Sequence, residues 1–135
     1  MGYATGPGLD PLPSGLAEVA DFDPISPDPC YSYPVDMQNR TFVKLGVDFT
    51  KGSLTNCILS IEVWNGVEWV AGYSADGSSQ WSYTMTANKN ISILVGDTTD
   101  EIEAPVPFAW RFFRVKIDPT GTATGSSITI RAAAK

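Results

Sequence analysis

The sequence predicts an all-β fold: an antiparallel β-sandwich, jelly-roll or Ig-like, of about seven to eight strands behind an extended proline-rich N-terminal arm. Three observations carry this. From Arg40 onward apolar residues recur at every second position in short runs, the period of a strand with one buried face. Turns rich in Gly, Asn, Asp and Ser separate those runs at sandwich-like intervals. The first 36 residues instead hold seven of the ten prolines and keep neither a helical nor a strand period.

The arm comes first. Pro11, Pro13, Pro24, Pro27, Pro29 and Pro34 hold its backbone extended and deny it ladder donors. Ser14 followed by Leu16-Ala17-Glu18-Val19-Ala20 offers at most one capped helical turn. Apolar side chains are nonetheless too frequent for a segment meant only to be solvated. Leu9, Leu12, Phe22, Ile25, Tyr31 and Tyr33 are therefore candidate anchors on a partner surface, with Asp21, Asp23 and Asp28 as charged companions. This divides the chain into an acidic arm, residues 1–36, and a sandwich domain, residues 37–135. Such an arm is expected to be dispensable for folding and needed for attachment.

The strands follow in order. Val43, Leu45, Val47 and Phe49 share one face before the Thr50-Lys51-Gly52-Ser53 turn, and Cys57, Leu59, Ile61 and Val63 share the next. Asn65-Gly66 is the strongest short hairpin signal, because both residues accept the positive φ of a type I′ turn. The return strand runs through Val67, Trp69 and Ala71, with Trp69 placed in the core. Trp81, Tyr83 and Met85, then Ile91, Ile93 and Val95, make two more strands. An acidic loop over residues 96–107 precedes a closing pair read as a long-looped hairpin, Phe113-Val115-Ile117 and Ile128-Ile130 inward. The predicted core is Val43, Leu45, Val47, Cys57, Leu59, Ile61, Val63, Trp69, Trp81, Ile93, Phe113, Val115, Ile117, Ile128 and Ile130.

The net charge of −6 lies wholly in the arm, where Asp10, Glu18, Asp21, Asp23, Asp28 and Asp36 meet no Lys or Arg. The rest is balanced at nine acids and nine bases, which disfavours a nucleic-acid partner. No signal peptide and no run of ~20 apolar residues is present, so a soluble protein made in the cytosol and free of the membrane is expected. Cys30 and Cys57, without a secretory signal, read as two free thiols.

The chain has no histidine, which excludes Ser-His-Asp and Cys-His catalysis and His-bearing metal sites. Asp21, Asp23 and Asp28 lack the glycine turn and bidentate Glu of a calcium loop, so no cofactor or metal is expected. Glu62, Glu68, Glu101 and Glu103 can be drawn as a glycosidase pair, but acids of this kind ordinarily sit on the surface of small β-domains. The four tryptophans pose the one other ligand question. Trp64 beside a second exposed aromatic would make a sugar platform, whereas the plain alternative is that the tryptophans fill or rim the core.

The order of parts, VDFTKGS, TNCILSIEVW, NGVEW and later FFRVKI and GSSITIRA, resembles the small β-sandwich proteins of tailed-phage virions, the decoration, cement or head-fibre type. The likeness spans about residues 42–132; Asn-Gly-Val-Glu-Trp departs from the usual Asp-Gly turn, and the proline-rich arm is outside the general pattern. It implies a non-enzymatic bacteriophage structural protein, a late protein made in the host cytoplasm and carried on the capsid surface. Its implied partners are the major capsid protein and further copies of itself, as a dimer or trimer. The alternative is a carbohydrate-binding β-sandwich module of a phage or cell-surface appendage.

Overall fold

The computed structural model describes residues 16–36, 42–72, 81–96, 102–104 and 112–134. Among them are eleven strands and no helix. The seven strands read from alternation are all present: β4 (Phe42–Thr50), β5 (Leu54–Trp64), β6 (Trp69–Ala71), β7 (Ser82–Met85), β8 (Lys89–Gly96), β10 (Phe112–Gly121) and β11 (Ser127–Ala134). The other four are β1 (Leu16–Phe22), β2 (Cys30–Tyr31), β3 (Val35–Asp36) and β9 (Ile102–Ala104).

Two sheets form an all-β sandwich. The first has the order β1-β11-β4-β8-β9, antiparallel except for the parallel β8–β9 edge. The second has the order β2-β10-β5-β6, with β3 extending the β2 side of β10 and β7 pairing β5 on the β6 side. Inward residues of both sheets make one core, in which Phe49, Leu59, Ile61, Phe113, Ile117 and Ile128 are fully buried. Every predicted core residue is buried except Trp69 and Trp81, and Trp81 packs half-buried against the core.

The predicted domain boundary at residue 37 is corrected. From Leu16 the arm is part of the sandwich: β1 runs beside β11 with Leu16 opposite Ala133 and Phe22 opposite Ile128. β2 and β3 together line β10, placing Tyr31 opposite Lys116 and Val35 opposite Phe113. Prolines prevent one continuous strand, and a serine repairs the break. The Ser32 N–H donates to the Val115 carbonyl at 2.9 Å, and the Ser32 hydroxyl accepts from the Val115 N–H at 2.9 Å. One buried residue so satisfies both backbone groups of Val115, which would otherwise be left without partners in the interior.

The closing hairpin is also corrected. β10 and β11 lie in different sheets, so residues 122–126 cross the sandwich as an arch. The β4–β5 and β7–β8 turns do the same, as does the segment from β1 to β2, and these four crossovers gather at one end. There Ser53 N–H donates to Thr124 O at 2.9 Å and Lys51 N–H to Asn88 Oδ1 at 2.9 Å. Gly52 sits at φ 58°, where a Cβ would stand 2.5 Å from the Gly125 carbonyl carbon and the Thr124 oxygen. Glycine is demanded there by both conformation and space.

The Asn65-Gly66 hairpin exists with a longer loop than predicted. Trp64 pairs with Trp69, and the Asn65 side chain caps the turn by accepting from the N–H groups of Val67 and Glu68, both at 2.8 Å. Residues directly opposite in an antiparallel pair share a face. Trp69 therefore follows Trp64 to the outer side, while Val70 packs inward and Val67 is exposed. The placing of Trp69 in the core is thereby overturned.

Candidate functional site

β1 has a bulge between Glu18 and Ala20, and on its free side Tyr33 N–H donates to Val19 O at 2.8 Å. That bond ties the edge of the first sheet to the start of the β2–β3 break in the second. A groove opens along it, lined by Glu18, Val19, Ala20, Asp21, Phe22, Tyr31 and Tyr33. Val19 and Ala20 form its buried floor, and Phe22 is half-buried against the core. Tyr31 and Tyr33 rise from it at 39% and 61% exposure, among the few exposed large hydrophobics of the described residues.

Of the nine predicted partner-binding residues, the groove collects Asp21, Phe22, Tyr31 and Tyr33. Ile25 is not a partner anchor. It is 1% exposed in the chain's own core, with its N–H donating to the buried Ser126 hydroxyl at 3.3 Å. Its apolar surface, expected to serve a neighbour, is spent on holding the β1–β2 crossover against the 122–126 arch. Asp23 lines a second, shallower depression with Pro24, Pro27 and residues 121–125. Asp28 is exposed on the turn beyond, where its N–H donates to Ser26 Oγ at 3.2 Å. Leu9 and Leu12 lie outside the described residues.

The groove's acids are partly engaged by the sandwich itself. Glu18 stands opposite Arg131 and pairs with it at 3.5 Å, both side chains about half exposed (47% and 50%). Thr129 Oγ1 donates to Asp21 Oδ1 at 3.3 Å. Pairs this exposed contribute at most ~1 kcal/mol each, so they orient the rim more than they hold it.

Sequence reasoning missed a second constellation, on the outer face of the β2-β10-β5-β6 sheet. Arg114 projects from β10; its Nε donates to Glu62 Oε1 on β5 at 2.8 Å, and its Nη2 forms the ion pair with the same oxygen at 2.7 Å. The guanidinium carbon lies 3.8 Å from the Tyr31 ring centre on the β2 side and 4.5 Å from the Trp69 ring centre on the β6 side. Trp64 meets Trp69 edge-on, centroids 5.5 Å apart and planes at 62°. Alternation assigns Arg114 and Glu62 to outward faces, but only strand order makes them neighbours.

The thiols face away from such chemistry. Burial raises Cys30, and burial followed by the nearness of Cys30 and Asp118 pushes Cys57 up to about 12, so neither is a ready thiolate. Both are free. Among the described residues no cluster of three or more His, Cys, Asp or Glu is arranged to hold a metal ion. Glu62, one member of the imagined glycosidase pair, is held by Arg114, and Glu68 is exposed in the β5–β6 turn.

No protein-family profile matches the sequence, and neither a curated protein nor a solved structure matches it.

Proposed function

We propose that the chain is a non-enzymatic structural protein of a tailed-phage virion, bound to the capsid surface as a decoration or cement protein. The groove beside β1 is its docking site. The supporting observation is the gathering of Phe22, Tyr31 and Tyr33 around one groove with two carboxylates on its rim, next to the point where residues 1–15 join the fold. Aromatic rings with a polar edge are the side chains that dominate protein interfaces, and a rim of acids steers toward a basic surface on the major capsid protein. The attachment element is thus reassigned: residues 16–36 build the site as part of the sandwich instead of reaching out from it.

The test is co-sedimentation with capsids of the phage whose genome encodes the chain. Wild-type protein should sediment with them, Tyr33→Ala should lose most of that binding while keeping its melting temperature, and added salt should slow association more than it speeds dissociation. Sedimentation unaffected by Tyr33→Ala would remove the groove from the interface, and no sedimentation at all would remove the capsid.

A further inference from the structure

We propose that Arg114 is a positioning residue of the β1 groove: held from behind by Glu62 and Trp69, its guanidinium sets the Tyr31 ring in the pose that a capsid subunit meets. This role rests on the groove being the docking site. It makes the outer face of the β2-β10-β5-β6 sheet a support of that site without putting it in contact with the partner.

Tyr31 is the residue common to the two constellations. It lines the groove, and its ring also lies against Arg114, 3.8 Å from ring centre to guanidinium carbon. β2 fixes its backbone opposite Lys116, yet the residue is 39% exposed. A tyrosine so exposed ordinarily exchanges between rotamers, and a partner that binds it must freeze them. Arg114 does not line the groove, so it acts on that surface through the Tyr31 ring.

Arg114 itself is held from two further directions. Glu62 Oε1 accepts from its Nε at 2.8 Å and pairs with its Nη2 at 2.7 Å, which fixes one edge of the guanidinium from β5. From the β6 side the Trp69 ring centre stands 4.5 Å from the guanidinium carbon, and Trp64 meets Trp69 edge-on. The Arg114 and Glu62 side chains are only 21% and 17% exposed, so water screens these contacts less than it would on an open surface. Order thus passes across four strands, from β6 through β5 and β10 to β2, and ends on a ring at the groove. A planar guanidinium can meet aromatic rings and bond a carboxylate along its edge at once, which the point charge of a lysine cannot.

Two measurements on the full chain test this. Fluorine NMR of fluorotyrosine-labelled protein reads the ring directly, with the Tyr31 signal among the five tyrosines assigned by Tyr31→Phe. Arg114→Gln combined with Glu62→Gln removes the clamp without leaving a charge unpaired. The Tyr31 signal should then shift, while that of Tyr83, packed against the core, stays in place. Arg114→Lys should act in the same direction and serves if the double variant melts early. In capsid co-sedimentation the same variants should bind about two- to tenfold more weakly, the ordering of one side chain. In a Tyr31→Leu background they should cost nothing further. An unmoved Tyr31 signal overturns the positioning role and leaves the groove standing, as does unchanged capsid binding. A loss that persists in the Tyr31→Leu background overturns it too, because Arg114 would then act by another route. Wild-type protein that does not sediment with capsids removes the docking site, and this role with it.

Discussion

Ile25→Ala is the sharpest test of how the N-terminal region is used. Ile25 lies between β1 and β2, contributes to the common core and is 1% exposed. The substitution removes three carbons from the interior, about 0.8 kcal/mol each by transfer, or about 2.4 kcal/mol before any cavity is counted. A void left behind adds about 24 cal/mol per Å³, which places the whole loss at about 2–5 kcal/mol. Domains of ordinary size have only about 5–15 kcal/mol in total, so the variant is expected to survive with a thin margin. Urea unfolding followed by tryptophan fluorescence is the assay. With a slope of about 1.5 kcal/mol per molar, a loss of about 3 kcal/mol lowers the midpoint by about 2 M. Asp28→Ala, a few residues along the same segment and exposed, should stay within about 0.5 kcal/mol of wild type. If Ile25→Ala also stayed within about 0.5 kcal/mol at unchanged slope, residues 16–36 would be an appendage after all and the core would begin only at β4.

Three further outcomes are expected. Double-mutant cycles should give the Arg114–Glu62 pair a coupling of about 1.5–3 kcal/mol, as for a charged hydrogen bond with little solvent around it, and the Glu18–Arg131 pair below about 1 kcal/mol, with salt weakening only the second. Stability should hold steady up to pH about 9 and fall from there toward about 12, because the unfolded Cys57 thiol loses its proton near 9.0 while the folded one keeps it to about 12; urea midpoints across that range should decline more steeply in wild type than in Cys57→Val. Gly52→Ala should cost at least about 1–2 kcal/mol from its left-handed backbone alone, before the clash with Thr124 and Gly125 is counted, and thermal melting reads that loss directly.

Alternation makes most of the sandwich legible. Val43-Leu45-Val47 or Phe113-Val115-Ile117 each specify a strand and its buried face together, since a period of two permits no other placement. What alternation cannot express is which sheet a strand joins. The turns at 51–53 and 122–126 have hairpin composition yet serve as arches, a choice made by how β5 and β11 find partners in opposite sheets. Strands of two residues carry no period at all, so β2 and β3 hide among the prolines, and Ile25 resembles a free anchor. The tyrosines of the groove are legible as apolar residues in a polar arm. That four of the predicted residues meet in one place is not, because their meeting depends on the Tyr33–Val19 bond between sheets. Trp69 escapes alternation for a simpler reason: its face is inherited from Trp64 across the ladder.

The position of β11 bears on how the protein comes into being. It is the last of the described strands in chain order, yet it occupies an interior place, between β1 and β4. Among the described strands β1 pairs with no other, so Leu16 must wait for Ala133 to be synthesised before its ladder can form. Until then a nascent chain can assemble the β5–β10 and β4–β8 pairings while one long edge of β4 stays open. Contacts that close so large a loop come late and slowly. A ribosome that stalls before Ser127 consequently releases a chain with an unpaired β4, an N-terminal strand with nowhere to go and an exposed inner sheet face, the kind of species that proteases and edge-to-edge association remove. Synthesis through β11 is thus a condition of folding, and a copy cut short before it lacks the finished surface that any partner would recognise.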